Sequence, residues 1–321
     1  NFAKKVLSAP DVIINKSKED FDKTLSAKNK ITNNSKIDQE INSESLFEDI
    51  NIGFTDIPSD AIRFSAATLE EIYKDKPKYN LKKVRNSKLV NTGYAVDLLP
   101  NDLKKIESVK KRKDLFIRIV LPLILQENNR IKLDRKRLFV ILNKNNNSKS
   151  EKDWLKKKFK QYGVVNNDLS TLKIRMDEIP VSLAIAQAAK ETGWGTSRFA
   201  IEGNALFGQW TFNGEGIKPA SADSDSTHKV MKFKYLKASV RAYQRNLNTH
   251  SSYREFRRER AIQRDNEEKL NSLELVKYLD KYAETGIEYT KVLKKIIEQN
   301  SLTDFDDVKM LPTSLKLKSL I

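Results

Sequence analysis

A mainly α fold with a small β-hairpin lobe (α+β) is predicted by three features of the sequence. Apolar residues recur at helical spacing from about residue 89 onward. A glycine- and proline-containing stretch, residues 203–226, then gives way to the alternation of THKVMKFKY (residues 227–235). Helical spacing returns from 237 to 300. With 39% hydrophobic and 32% charged residues and a mean hydropathy of −0.60, the 321-residue chain has too little apolar material to build a core along its whole length.

The elements follow in order. Roughly half of residues 15 to 45 are Asn, Ser or Lys, with isolated apolar residues at no steady period, the profile of a disordered tether. Residues 60–74 (DAIRFSAATLEEIYK) read as a lone amphipathic helix, and the Lys-rich stretch from 74 to 88 reads as linker. Leu115, Phe116, Ile119, Val120, Leu123 and Ile124 put a helix over 103–127, with Pro122 predicted to kink or break it. Asp134 is expected to cap a second helix (135–142), followed by the polar loop NKNNNSKSE, a third helix (152–162) and a fourth (169–176) capped by Asp168. Pro180 stands at the favoured first position of a helix running to about Glu191. After the hairpin come helices at 237–250, 253–264, 272–285 and 288–300, and the last 20 residues read as loosely structured. The expected organisation is a tether over 1–85, a helical region over 88–165 packed on the domain that follows, a functional domain over 168–300, and a tail over 301–321.

Composition excludes several chemistries. With no cysteine there is no disulfide scaffold, thiolate zinc site or Cys nucleophile. Two histidines, His228 and His250, suggest no metal site and read as polar structural residues. The longest apolar run, Phe116 to Leu125, carries Arg118 and is half of the roughly 20 residues that a bilayer span needs. The chain starts with Asn rather than Met, so a removed export signal or anchor is expected upstream. A net charge of +17 and a pI near 9.6 concern partners rather than fold. The basic runs are scattered and accompany no nucleic-acid-binding motif, so contact with an anionic envelope fits them, as does plain solvated surface.

The chemistry concentrates in residues 179–210. At about 100° per residue, Glu191 lies within about 40° of Ala184 and Gln187 on an alanine-rich packing face. Gly193 and Gly195 end the helix with Trp194 between them. A carboxyl there is expected to have a raised pKa, as a general acid acting on a glycosidic bond requires. The same spacing serves equally a Glu bonded to nearby backbone amides. Beyond it, Phe199, Asn204, Phe207, Gln209, Trp210 and Phe212 combine rings with amides, a pairing that suits a sugar; Phe199 and Phe207 read better as core, Trp210 as site.

KETGWG (190–195) followed by GNALFGQW (203–210), together with residues 232–257 and 279–297, resembles the glucosaminidase family, glycoside hydrolase family 73, in its Bax-like branch. The helical region before it (112–131) is similar as well. The resemblance implies a lysozyme-like α fold with a hairpin lobe across a groove, and a peptidoglycan-cleaving enzyme that works in the periplasm or envelope as a monomer, without cofactor or metal. It implies Glu191 as catalytic acid, Tyr289 facing it across the groove, and Tyr253 as a further aromatic. Trp194, Asn204, Phe207, Gln209 and Trp210 would bind glycan. A second carboxylate has no clear match. Asp223 and Asp225 rank above Glu215, and the substrate's own 2-acetamido group is the other nucleophile. A non-catalytic glycan-binding module and a nucleic-acid binder are the competing readings, the first opposed by an intact Glu191 and the second supported by charge alone.

Overall fold

The computed structural model describes residues 61–311 except 75, 77, 78, 92, 94, 212–215 and 218–228, and gives the backbone alone for Trp210 and Thr211. The described chain is mainly helical with two small sheets, in line with the predicted class.

Helix α1 (Ala66–Lys74) buries Leu69 and Tyr73, within the helix expected there. The stretch read as linker instead contains α2 (Leu81–Ser87), whose N-terminus is capped by Asn80 accepting from the Lys83 amide at 3.1 Å. Only Val84 of α2 is buried, so apolar spacing could not reveal it. Strand β1 (Leu89–Val90) follows.

Helix α3 (Val109–Leu142) is one helix of 34 residues with Pro122 inside it, where a break and a fresh start at Asp134 were expected. Proline removes one backbone hydrogen bond. Here Leu121, Pro122, Leu123 and Ile124 are all buried, and those core contacts keep the helix continuous through the gap. Asp134 is no cap: its carboxylate pairs with Lys158 and lies 4.0 Å from Arg130.

The two halves of α3 serve different cores. Its first half joins the main core, which gathers residues from Ala66 to Val308. Its second half, through Ile131 and Leu138, forms a smaller cluster with Phe159, Tyr162, Leu172 and Met176. That cluster comes from α4 (Lys149–Gln161), begun by a Ser148–Glu151 capping box, and α5 (Leu169–Arg175), capped by Asp168 as expected.

Helix α6 (Val181–Thr192) crosses the main core, and Ser182 through Ala189 are all buried. Pro180 sits one position earlier than expected, as its N-cap. Helix α7 (Arg198–Gly203) leads into a three-stranded antiparallel sheet, order β2-β4-β3, of β2 (Trp210–Thr211), β3 (Gly216–Ile217) and β4 (Lys229–Met231). Helices α8 (Leu236–Thr249) and α9 (Arg254–Asp265) follow as read. The single helix expected over 272–285 is broken: α10 (Ser272–Leu275) passes into 3-10 turns at Val276–Tyr278 and Asp280–Tyr282. Helix α11 (Ile287–Gln299) is the last long element.

Residues 301–311, expected to be loose, are built into the fold. Leu302 and Phe305 are buried, and β5 (Lys309–Met310) pairs in parallel with β1. Arg85 reinforces this join, donating to the carbonyls of Asn300 and Ser301 at 3.0 Å each. The sequence signal was weak because each anchor lies some 215 residues away along the chain.

Candidate active site

Helix α6 ends abruptly at Glu191–Thr192. Gly193 adopts the left-handed conformation (φ 56°) and the Trp194 amide donates back to the Ala189 carbonyl at 2.9 Å. Trp194 is itself left-handed (φ 61°), a conformation that a bulky residue rarely adopts. Packing against α3 holds it: its ring meets the Phe116 ring edge-on at 5.9 Å, with Lys113 Nζ 4.7 Å above it. A Cβ on Gly195 would lie 2.8 Å from Phe116, so the corner is pressed onto α3 with no room for a side chain. The α3 helix thereby fixes where α6 stops and where Glu191 stands.

Glu191 is half-buried among tyrosines. Tyr289, in the first turn of α11, donates to Glu191 Oε1 at 2.9 Å. The Tyr282 ring stacks on Tyr289 (5.5 Å, 8°), and Tyr253 lies 6.0 Å from Tyr282. Tyr282 comes from the 3-10 turn that interrupts the expected helix, and its hydroxyl donates to the Phe207 carbonyl at 2.9 Å. That bond secures the loop bearing Gly208. A Cβ on Gly208 (φ 60°) would lie 3.0 Å from Glu191 Oε2, so only glycine lets this backbone pass the carboxyl unhindered.

A buried polar chain runs behind Tyr289. Gln187, one turn before Glu191 on α6, donates through Nε2 to Tyr289 Oη at 3.2 Å and accepts through Oε1 from Tyr243 at 2.7 Å. Tyr243, on α8, is fully buried and stacks on Phe207 at 3.9 Å.

These surroundings set the protonation states. Burial pushes the Glu191 carboxyl up from its ordinary value, and the Tyr289 hydrogen bond and neighbouring Lys190 offset this only in part. Burial and then the charge of Glu191 push the Tyr289 phenol upward, so it stays a neutral donor. Burial takes Tyr253 up to about 12 and Tyr282 well above its usual value. Glu191 is thus a carboxyl that keeps its proton to higher pH than an ordinary Glu and faces neutral phenols. It can deliver a proton to a basic oxygen brought against it.

The other residues singled out from sequence are placed differently. Asn204 is fully buried at the end of α7, and its Nδ2 donates to the Phe233 carbonyl at 2.9 Å and the Lys234 carbonyl at 3.3 Å. Phe207 is core. Gln209 is buried, and its Oε1 has no hydrogen-bond partner among the described residues. Trp210 lends its backbone to β2 opposite Val230. Asp223 and Asp225, like Phe212, Glu215 and His228, lie outside the described residues. His250 accepts at Nδ1 from the Ser252 amide and opens the turn before α9. Gln187, Tyr243, Tyr282 and Gly208 were not singled out. Gln187 was signalled by its helical spacing from Glu191, and Gly208, Tyr243 and Tyr282 only by lying inside the stretches that carry the family resemblance.

Among the described residues, no group of three or more His, Cys, Asp or Glu could hold a metal, and no helix is long and apolar enough to cross a membrane.

Residues 170–302 match the sequence model of the glucosaminidase family, described as mannosyl-glycoprotein endo-beta-N-acetylglucosaminidase. The chain is 33% identical over 206 residues to Protein bax of Escherichia coli (strain K12), an alignment covering 62% of this chain and 73% of that protein. No solved structure matches significantly.

Proposed function

The chain belongs to the glucosaminidase family, and from that premise we propose that it is a peptidoglycan hydrolase, a β-N-acetylglucosaminidase with Glu191 as general acid. The observation that carries this reading is the half-buried Glu191 carboxyl, its proton affinity raised by burial and its Oε1 held by Tyr289. Such a group protonates the departing glycosidic oxygen as the C–O bond breaks. On the opposite face of the sugar, a hairpin carboxylate (Asp223 or Asp225) or the substrate's 2-acetamido oxygen takes up the developing positive charge at the anomeric carbon, and a water molecule then adds there and gives its proton to the ionised Glu191. Tyr289 keeps the acid oriented, and the aromatic surroundings of Tyr253 and Tyr282 suit a pyranose face.

The +17 charge supports an anionic cell-wall polymer as substrate in preference to a neutral glycan. A peptidoglycan substrate implies action outside the cytoplasm; the tether expected over 1–85 does not hold for its last twenty residues, because α1 and α2 pack Leu69, Tyr73 and Val84 into the main core. No cofactor enters this chemistry.

The test is digestion of purified sacculi by wild type and Glu191→Gln. The variant should keep its melting temperature and lose activity by about a hundredfold or more, the usual cost of removing a general acid. Wild-type products should carry N-acetylglucosamine at their new reducing ends. More than about a tenth of the activity surviving in the variant removes Glu191 from the role. Reducing-end N-acetylmuramic acid would move the cleaved bond to the other linkage of the strand.

A further inference from the structure

The hydrogen-bond chain behind Glu191 has a direction that its donors and acceptors dictate. Tyr243 is fully buried, and its hydroxyl lies 2.7 Å from Gln187 Oε1, an atom that can only accept. The Tyr243 hydrogen therefore points at Gln187. With Oε1 turned to Tyr243, Nε2 of the same amide faces Tyr289 Oη at 3.2 Å, and an amide nitrogen can only donate. Tyr289 must accept there, which leaves its hydrogen for Glu191 Oε1 at 2.9 Å. Flipping the Gln187 amide would reverse every step. It would also leave the buried Tyr243 hydrogen without an acceptor among the described residues, a penalty that disfavours the flip.

We propose that Tyr243 and Gln187 are positioning residues that fix the polarity of the Tyr289 hydroxyl, so that Glu191 accepts at Oε1 and carries its transferable proton on Oε2, the oxygen that a Cβ on Gly208 would crowd at 3.0 Å. Two oxygens of one carboxyl are thereby given separate tasks, Oε1 as anchor and Oε2 as acid. The inference rests on the reading of Glu191 as general acid.

Among the described residues, the other titratable groups that face Glu191 are few. Lys190 adjoins it on α6, and the phenols of Tyr253, Tyr282 and Tyr289 face it from the segments packed against α6. All three phenols have raised pKa values and stay neutral, so the direction of the Tyr289 hydrogen bond remains as the adjustable influence.

Two experiments test this. A neutron structure of the deuterated wild-type protein should show the Tyr289 deuterium directed at Glu191 Oε1 and a Gln187 amide deuterium directed at Tyr289. The opposite polarity overturns the proposal whether or not the protein has activity. The second is a 13C-carboxyl titration of Glu191 in wild type, Tyr243→Phe and Tyr289→Phe, with the resonance assigned through Glu191→Gln. Tyr243→Phe frees the Gln187 amide to turn and compete for the Tyr289 hydrogen. The Glu191 midpoint should then rise by at least about half a unit, in the same direction as in Tyr289→Phe and no further. On sacculi the high-pH limb should move up with it, and kcat should fall about threefold or more at unchanged KM. A purely structural Tyr243 would lower the melting temperature and leave the Glu191 midpoint within about 0.1 unit of wild type, which overturns the proposal. If wild type shows the expected polarity and Tyr243→Phe the expected midpoint shift, but wild type digests no sacculi, the positioning chain stands and the hydrolase reading falls.

Discussion

Asp177, which is buried, and Glu191, which is half-buried, stand at the two ends of one stretch of chain, the first just before α6 and the second in its last turn, yet they titrate in opposite directions. Burial alone pushes both carboxyls up. At Asp177 the guanidiniums of Arg135, Arg260 and Arg264 outweigh it and hold the carboxyl down to about 2. Arg264 approaches to 3.2 Å, with Arg260 at 3.8 Å and Arg135 at 3.9 Å. At Glu191 the partner is a neutral phenol, so the carboxyl stays above its ordinary value. Depth of burial is therefore not what separates a structural carboxylate from a proton donor here. The separation comes from whether the neighbouring elements bring cations or hydroxyls. In a chain of +17, the absence of an ion pair to this acid among the described residues is itself a feature of the site.

The largest expected effect falls at the cationic end. Asp177→Asn leaves the fully buried Arg260 guanidinium without its neutralising carboxylate, and breaking such a buried pair costs about 3–5 kcal/mol. The pH dependence has a definite sign. A carboxyl at about 2 when folded, against about 3.9 unfolded, contributes on the order of 2 kcal/mol of stability above pH 4, lost as pH falls toward 2. Urea denaturation between pH 2 and 7 should show that loss in wild type and a much flatter line in the variant. A destabilisation below about 1 kcal/mol at pH 7 would break the comparison, because the arginines would then need no counter-charge. The specific activity of the folded variant should be nearly unchanged.

Much of this contrast was legible in the sequence on one side only. The alanine-rich spacing of α6 and the glycines around Trp194 mark Glu191 as a desolvated helix-end carboxyl, because both signals lie within a few residues of it. The cluster at Asp177 is assembled from α3, the segment before α6, and α9, and no local period records that meeting. The same limit hid the chain from Tyr243 through Gln187 to Tyr289, whose links span 56 and 102 residues. It also hid Tyr282, which reaches the site only because packing breaks the helix expected over 272–285. Pro122 failed in the other direction: the local rule predicts a break, and burial of its neighbours overrides it. Helix periodicity was readable wherever one face alone is apolar. Pairings between distant polar groups were not.

A smaller effect is expected at the neutral end. Tyr289→Phe removes the donor to Glu191 and the acceptor of Gln187 Nε2. Turnover should fall at least about tenfold, or about 1.4 kcal/mol of transition-state stabilisation. The unpaired Gln187 nitrogen should cost about 1 kcal/mol of stability, which lowers the melting temperature by about 2–4 °C. Rates should therefore be compared well below the transition. Because the lost hydrogen bond favoured the ionised carboxyl, Glu191 should keep its proton to higher pH, moving the high-pH limb of the rate profile upward. Unchanged turnover would leave Glu191 standing and remove Tyr289 from the mechanism.

The smallest effect belongs to a third carboxyl, one that packs against the start of α6. Asp306, from the C-terminal segment, accepts from the Ser182 amide at 2.8 Å and from its hydroxyl at 2.7 Å, capping the first turn of α6 from 124 residues away. It has donors like Glu191 but no guanidinium like Asp177. Burial carries its carboxyl up to about 6, with the two Ser182 hydrogen bonds pulling the other way. A raised folded value means that the folded chain holds this proton more tightly than the unfolded one. The associated stability is then full below about pH 4 and declines as pH rises through 6. Asp306→Asn keeps an oxygen for the Ser182 amide and has no proton to lose. It should therefore cost less than about 1 kcal/mol at pH 4, where it stands in for the protonated acid, and gain on wild type as pH rises to 7. Parallel denaturation curves at the two pH values measure that gain. If the variant instead loses ground by more than about 1 kcal/mol on going from pH 4 to 7, the ionised carboxylate is what α6 requires at its N-terminus, and two neutral donors at a helix start suffice to do what three arginines do at Asp177.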